Sequence, residues 1–574
     1  MRSSWLRHAA LAALAFALVS VGAVPAAPLF SDRDILHPVY ARHGMVASQE
    51  QLATRVGVEI LKQGGNAVDA AVAVGFALAV TLPQAGNLGG GGFMVLRKAD
   101  GTAVAIDFRE MAPSRASRDM YLDEQGDVDS KRSQFSHLAV GVPGTVAGLA
   151  LAAGKYGTMP LDSLIAPAIE LAEKGFPVSQ ALTDSLENAR KTLEPWPATQ
   201  AIFFKSDGSP WQPGETLVQQ DLGRSLRLIA EQGPKAFYEG EIAALIAAEM
   251  ERHGGLITQE DLKNYRALER EPVQGQYRGY RILSMPPPSS GGVHIVQILN
   301  ILEEFPLKEM GAGSAAAIHH MAEAMKRAYA DRSEYLGDPD FVKVPVKALT
   351  SKDYARALAE QIKPDRASVS AEIRPGDLGP YESDNTTHYS VVDQNGNAVA
   401  VTYTLNFSYG SGIVAAGTGI LLNNEMDDFS AKPGVPNAYG LIGGEANAIA
   451  PAKRPLSSMS PTIVAGEDGW LLVTGSPGGS RIITTTVQIL LNLLEHGMNI
   501  AEATAFPRIH HQWLPDELRV EEGLSPDTLG LLREMGHSVV AKPTMGSTQS
   551  ILRTPDGLFG ATDPRSREGA ALGY

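Results

Sequence analysis

The run Asp384-Asn385-Thr386-Thr387-His388-Tyr389-Ser390-Val391-Val392-Asp393 is followed by Gln394-Asn395-Gly396-Asn397 and then by Ala398-Val399-Ala400-Val401-Thr402-Tyr403-Thr404. β-Branched and aromatic residues crowd both flanks, and Asn395-Gly396 stands between them. Asn-Gly tolerates the positive φ of a tight turn, so this is a strong hairpin signal. The spacing predicts an antiparallel pair that begins abruptly at two threonines. A threonine freed as a chain start needs no separate base. Its α-amine titrates near pH ~8 and can take the proton of its own hydroxyl. Cutting Asn385–Thr386 would therefore turn Thr386 into a nucleophile, with its hydroxyl first attacking the Asn385 carbonyl. While the chain is uncut that nitrogen is an amide and no base, so the precursor is expected to be inactive. On local pattern alone, an ordinary β-branched strand start is the commoner explanation.

Composition narrows the classes. The 574 residues carry a formal charge of −15, which disfavours nucleic acid and anionic membrane as partners. Cysteine is absent, which removes disulfides, thiolate catalysis and cysteine-ligated metals. The basic start Met1-Arg2, an apolar run to Val24 and small residues at Ala26-Ala27 read as a signal peptide over 1–27. The run is shorter than the ~20 residues of a spanning helix. Export without a membrane anchor is the expectation, and in a bacterium that means the periplasm.

Outward from the hairpin, the chain offers several further motifs. Residues 66–80 read as a small-residue helix. Asn87-Leu88-Gly89-Gly90-Gly91-Gly92-Phe93 matches neither GxGxxG nor a P-loop, so close backbone packing is expected there. Strands over 93–97 and 103–108 lead into Arg109-Glu110, where a guanidinium could fork onto a carboxylate or simply make a surface ion pair. Residues 140–270 read as helical scaffold. Met285–Gly292 is a Pro-then-Gly loop ahead of a helix, and His319-His320 lie in a second helix over 315–336. No third ligand at zinc spacing accompanies them, and they read as structural. A polar segment, 343–378, approaches the cleavage point. Beyond the hairpin come the loop at Asn406, the acidic Glu425-Met426-Asp427-Asp428, an irregular stretch over 432–450, and Ser457-Ser458. Asp427-Asp428 could hold a cation, but a solvated turn or a ligand contact is the simpler reading. A strand over 470–474 meets Gly475-Ser476-Pro477-Gly478-Gly479-Ser480-Arg481 and then a helix, a place where backbone N–H groups can bind an anion. GxSxG is absent, so a serine elbow is unsupported.

The hairpin, Asn424–Ser430, Pro455–Pro461, Gly475–Arg481, the four-glycine run, Asp107–Pro113 and Met285–Gly292 together resemble the γ-glutamyltransferases (γ-glutamyltranspeptidases), bacterial periplasmic type, of the N-terminal-nucleophile hydrolases. The likeness spans nearly all of the chain after the signal segment. It implies an α+β fold, a four-layer αββα sandwich, shared by a large chain over 28–385 and a small one over 386–574. It implies transfer or hydrolysis of the γ-glutamyl group of glutathione and similar compounds, with amino acids, dipeptides or water as acceptors. It implies no cofactor and no metal. Thr386 would be the nucleophile and Thr404 would orient it. Arg109, Ser457 and Ser458 would hold the α-carboxylate of the donor. Asn406, Glu425 and Asp428 would hold its α-ammonium, with the two ends of this clamp at separate places. Gly478 and Gly479 would form the oxyanion hole, and Tyr439, in a lid over 433–444, would cover the donor. Glu425 departs from the glutamine of close bacterial relatives. Two other readings stay open: an acylase of the same fold acting on glutaryl or cephalosporin amides, and a non-catalytic periplasmic binding protein.

Overall fold

After Asp393 the chain turns back through Gly396 at φ 85°, a conformation that glycine adopts without steric penalty. The Asp393 carboxylate fastens the bend, accepting from the backbone N–H of Asn395 at 2.9 Å and of Asn397 at 3.0 Å. On either side, Thr387–Val392 and Ala398–Thr404 pair antiparallel, from Thr387↔Tyr403 to Val392↔Ala398. This is the expected hairpin. The computed structural model describes residues 34–373, 386–432, 434–435, 441, 443–467 and 469–574. The signal segment, Asn385 and Tyr439 lie outside the described residues.

The hairpin forms the middle of a seven-stranded sheet. Its neighbours are Met45–Ser48 and then Ala570–Gly573 on one side, and Gly91–Arg97, Ala103–Phe108 and Leu268–Arg270 on the other. A second seven-stranded sheet runs in the order Val39–Ala41, Gly557–Thr562, Gln549–Thr554, Leu471–Thr474, Thr462–Ala465, Tyr280–Ser284, Val273–Tyr277. Both contain segments from before and after Thr386. The fold is mixed α+β, and residues 38–574 form a single contact unit.

Every residue of both hairpin strands is buried, because the sheet is covered on both faces. Alternation still assigns the faces. Val392, Ala398 and Ala400 join Phe93 and Val95 in a cluster completed by Leu283, Ile463, Val473 and Ile551 of the second sheet. Tyr389, Val391, Val399, Val401 and Tyr403 point the other way, into a cluster with the helix Ala67–Thr81. That helix starts at a reciprocal cap between Asn66 and Asp69 and is buried along its whole length, hence its small, apolar composition. On the second sheet, a Cβ at Gly275 would come 2.5 Å from Val296, so the helix Gly291–Leu302 rests close on that surface.

The four-glycine run is close packing. Side chains on Gly89 and Gly90 would overlap the carbonyl oxygens of Leu421 and Thr404. The Gly91–Arg97 strand starts two residues earlier than its apolar pattern suggests, because Gly91 and Gly92 pair with Thr404 and Tyr403. No helix among the described residues is long and apolar enough to cross a membrane.

Candidate active site

Carrying the hairpin register one residue past Thr387↔Tyr403 sets Thr386 opposite Thr404. Thr386 is buried, at 8% exposure. Thr404 is fixed from several sides. It pairs with Gly91, its carbonyl accepts from Asn87 Nδ2 at 2.9 Å, and its hydroxyl oxygen accepts from the Asn406 N–H at 2.9 Å. Asn406 itself takes φ 78°, a left-handed conformation that asparagine tolerates better than most residues. Its Nδ2 donates to the Asn424 carbonyl at 3.0 Å, tying this turn to the acidic segment.

Arg109 leaves the end of the Ala103–Phe108 strand and is completely buried. Nε donates to the Pro455 carbonyl at 3.2 Å and Nη2 to the Leu456 carbonyl at 3.3 Å. The guanidinium also donates to the carboxylates of both Glu425 and Asp428. A separation between the cationic and anionic ends of a clamp is therefore not what the structure holds: the two ends are in contact. A third carboxyl, Glu110, lies 3.7 Å from Nη1. Burial opposes the charge of Arg109, yet Glu425, Asp428 and Glu110 together raise its pKa. Burial pushes Glu110 up to about 7 against the pull of Arg109, and neither of its oxygens has a hydrogen-bond partner. Burial likewise drives Glu425 far above the usual carboxylate range, with Glu110 and Asp428 adding to the effect. The physical cause is simple: several carboxyls around one guanidinium, out of water, do not all ionise. Asp427 is no solvated turn. It is buried and accepts from Ser133 Oγ at 2.9 Å.

Ser457 and Ser458 are held by the Pro-then-Gly loop. The Ser457 N–H donates to the Pro288 carbonyl at 2.9 Å, and the Ser290 N–H donates to the Ser457 carbonyl at 2.8 Å. Behind them stands Arg332, from the helix Ala315–Tyr335. Its Nε donates to Ser290 Oγ at 2.9 Å and its Nη2 to Ser458 Oγ at 3.1 Å. The motif reading missed Arg332. It sits among Glu323, Lys326, Arg327 and Asp331, a spacing that by itself marks a solvated face, whereas here all five are buried.

Gly478 and Gly479 have φ 127° and 52°, conformations open to glycine, immediately before the helix Arg481–Leu494. The turn that leads into them packs against His388. A Cβ on Gly475 would overlap the His388 ring. Nδ1 of that ring lies 2.8 Å from Thr402 Oγ1 and Nε2 lies 3.1 Å from Ser390 Oγ. Burial pulls its pKa down to about 3, so His388 is a neutral spacer between the sheets at ordinary pH. His319 hydrogen-bonds the His537 ring at 2.8 Å and the Lys363 carbonyl at 2.7 Å, while the nearby Glu323 is engaged by Lys326 and Arg327.

Arg109, Thr386, Thr404, Asn406, Glu425, Asp428, Ser457, Ser458 and Gly479 line one cavity, joined by Arg332, Leu441, Met459 and Ile482. Gly478 stands one residue outside this lining. The cavity measures about 20 Å³, room for about one water. The chemistry available is a threonine hydroxyl opposite a second threonine, glycine N–H groups at a helix start, and a buried set of opposite charges. A larger apolar cleft, about 840 Å³, is lined in part by Tyr265, whose hydroxyl donates to the Arg109 carbonyl at 2.8 Å.

A family profile described as gamma-glutamyltranspeptidase matches residues 53–573. The glutathione hydrolase proenzyme of Escherichia coli strain K12 is 62% identical over 580 aligned residues, covering 100% of both chains. Among solved structures, a cephalosporin acylase from Bacillus halodurans superposes with a TM-score of 0.83 at 29% identity, covering 96% of this chain and 99% of that one. A Helicobacter pylori gamma-glutamyltranspeptidase gives a TM-score of 0.56 at 50% identity, covering 57% of this chain and 93% of the other.

Proposed function

The chain belongs to the gamma-glutamyltranspeptidase family, and from that premise we propose that it is an enzyme that moves the γ-glutamyl group of glutathione and related compounds to water or to an acceptor amine through an ester on Thr386. The chain is a proenzyme. Cleavage of Asn385–Thr386 divides it into a large piece over 28–385 and a small piece over 386–574. They remain one heterodimer within a four-layer αββα sandwich, exported to the periplasm.

In the cut enzyme the Thr386 hydroxyl adds to the γ-carbonyl of the donor, and its proton passes to the new α-amine. The oxyanion faces the N–H groups of Gly478 and Gly479. Collapse expels the amine, which leaves with that proton. Water or an amino acid or dipeptide amine then attacks the ester, and the Thr386 hydroxyl is restored. Thr404 orients the nucleophile. No cofactor or metal takes part in these steps.

Donor recognition is an exchange of ion pairs. Arg109 releases Glu425 and Asp428 and takes the α-carboxylate together with Ser457 and Ser458. The two acids, with Asn406, take the α-ammonium. Each buried charge then still has a partner, which a donor lacking either group does not provide. A cavity of about 20 Å³ holds about one water, so admitting a donor requires the site to widen.

The observation that carries the reading is the convergence of Thr386, Thr404, Arg109, Ser457, Ser458, Asn406, Glu425 and Asp428 on one cavity. Thr386→Ala tests it. A denaturing gel should show one uncut chain, and release of aniline from a γ-glutamyl anilide should fall by at least ~10⁴-fold. A Thr386→Ala protein that is still cut and still active overturns the proposal. The structural likeness to a cephalosporin acylase makes glutaryl anilide the necessary control donor. Faster turnover of glutaryl than of γ-glutamyl anilide would assign the acylase activity instead.

A further inference from the structure

We infer that Arg332 is a positioning residue for the donor: it aims the Ser458 hydroxyl at the α-carboxylate and supplies the second positive charge of that subsite. The inference rests on the donor chemistry proposed above and adds a residue to it. Arg109 alone is a poor carboxylate receptor, because Glu425 and Asp428 already occupy its guanidinium and Glu110 stands 3.7 Å away. Arg332 lines the same cavity and is 4% exposed. Among the described residues no carboxylate forms an ion pair with it. The Asp428 carboxylate acts on it only through space, too little to offset its burial, and an arriving carboxylate relieves that cost.

Its hydrogen bonds give it direction. Ser458 Oγ accepts from Arg332 Nη2, so a lone pair of the hydroxyl is occupied and its proton is free to donate into the cavity. Ser290 Oγ accepts from Arg332 Nε and donates to the Ser457 carbonyl at 2.8 Å. One guanidinium thus fixes both the side chain of Ser458 and the backbone that carries it. Arginine suits this task because its donors are held in a rigid fork, which lysine lacks.

The test compares three anilides on the processed enzyme: γ-glutamyl, glutaryl (no α-ammonium) and 4-aminobutyryl (no α-carboxylate). Arg332→Met should raise KM for the γ-glutamyl and glutaryl donors by roughly 10- to 100-fold, the worth of a hydrogen bond to a charged group, with kcat changed far less. Turnover of the 4-aminobutyryl donor should stay within about threefold. Arg332→Lys should recover part of the KM, and its effect should shrink in a Ser458→Ala background. An equal loss on all three donors, or no loss on any, overturns the assignment. Should Arg332→Met fail to be processed, Arg332→Lys with and without Ser458→Ala decides. Additive effects there overturn the proposal and coupled effects support it. Failure of the underlying reading looks different: the unsubstituted enzyme would then not prefer the γ-glutamyl over the 4-aminobutyryl donor.

Discussion

Around Thr386, order comes from main-chain pairing and neutral hydrogen bonds: the register to Thr404, the Asp393 turn, and the uncharged His388 wedged against Gly475. Around Arg109, order comes from charge. Glu425, Asp428 and Glu110 crowd one guanidinium, and Arg332 waits behind the serines without a carboxylate among the described residues. The hairpin that carries Thr386 is a local structure that a short peptide pattern can specify. The charged side draws on residues 316 positions apart and exists only once the core has closed. The difference also separates their sensitivities. In the uncut chain burial holds His388, on the first side, down at about 3, whereas on the second side it pushes Glu110 up to about 7.

Three experiments set this contrast at risk. The largest effect is expected from Arg109→Met. It leaves the Glu425 and Asp428 carboxyls buried without their cation, so stability should fall by about 3–5 kcal/mol, together with loss of γ-glutamyl turnover. Chemical denaturation measures this, and an unchanged midpoint would show that charge does not order that side. Next comes Gly478→Ala. At φ 127° an alanine is strained, the N–H is displaced, and kcat should drop ~10²–10³-fold. The denaturation midpoint should change less than for Arg109→Met. A loss confined to KM would place Gly478 in binding rather than in oxyanion stabilisation.

The smallest effect concerns pH. Glu110 is pushed up to about 7, chiefly by burial, so between its unfolded value near ~4.5 and about 7 the folded state holds the extra proton. Stability from this group is therefore complete below that window and is lost as pH rises through it, at no more than ~1.4 kcal/mol per pH unit. Thermal melts of the Thr386→Ala precursor at pH 5 and pH 8 should show the decline. Glu110→Gln should flatten it. Parallel melts for both proteins would remove Glu110 as its source.

How much was legible follows the same division. Asn395-Gly396 and the β-branched flanks announce the hairpin because turn chemistry is local. The glycine run announces close packing, though not that Thr404 is what it packs against. Arg109, Glu425, Asp428, Ser457 and Ser458 were recognisable as motif residues, but their motifs carry no information about contact, and the ion pairing of Arg109 with both acids was not foreseen. Arg332 had no local signal at all. Its neighbours on the helix are charged at the usual intervals of a wet surface, and only tertiary packing buries them. Glu110 was visible beside Arg109, yet its unmet oxygens depend on what closes over it.

The interleaving of segments from before and after Thr386 in both sheets has a kinetic consequence. The continuous chain folds with its two halves tethered, so their encounter is unimolecular and independent of protein concentration. The proposed nick at Asn385–Thr386 would delete that tether. Once denatured, the pieces must find each other by diffusion, so recovery becomes second order and collapses on dilution. The proposed maturation would in this sense be a ratchet: the step that arms the threonine would also forfeit the route by which the fold was reached.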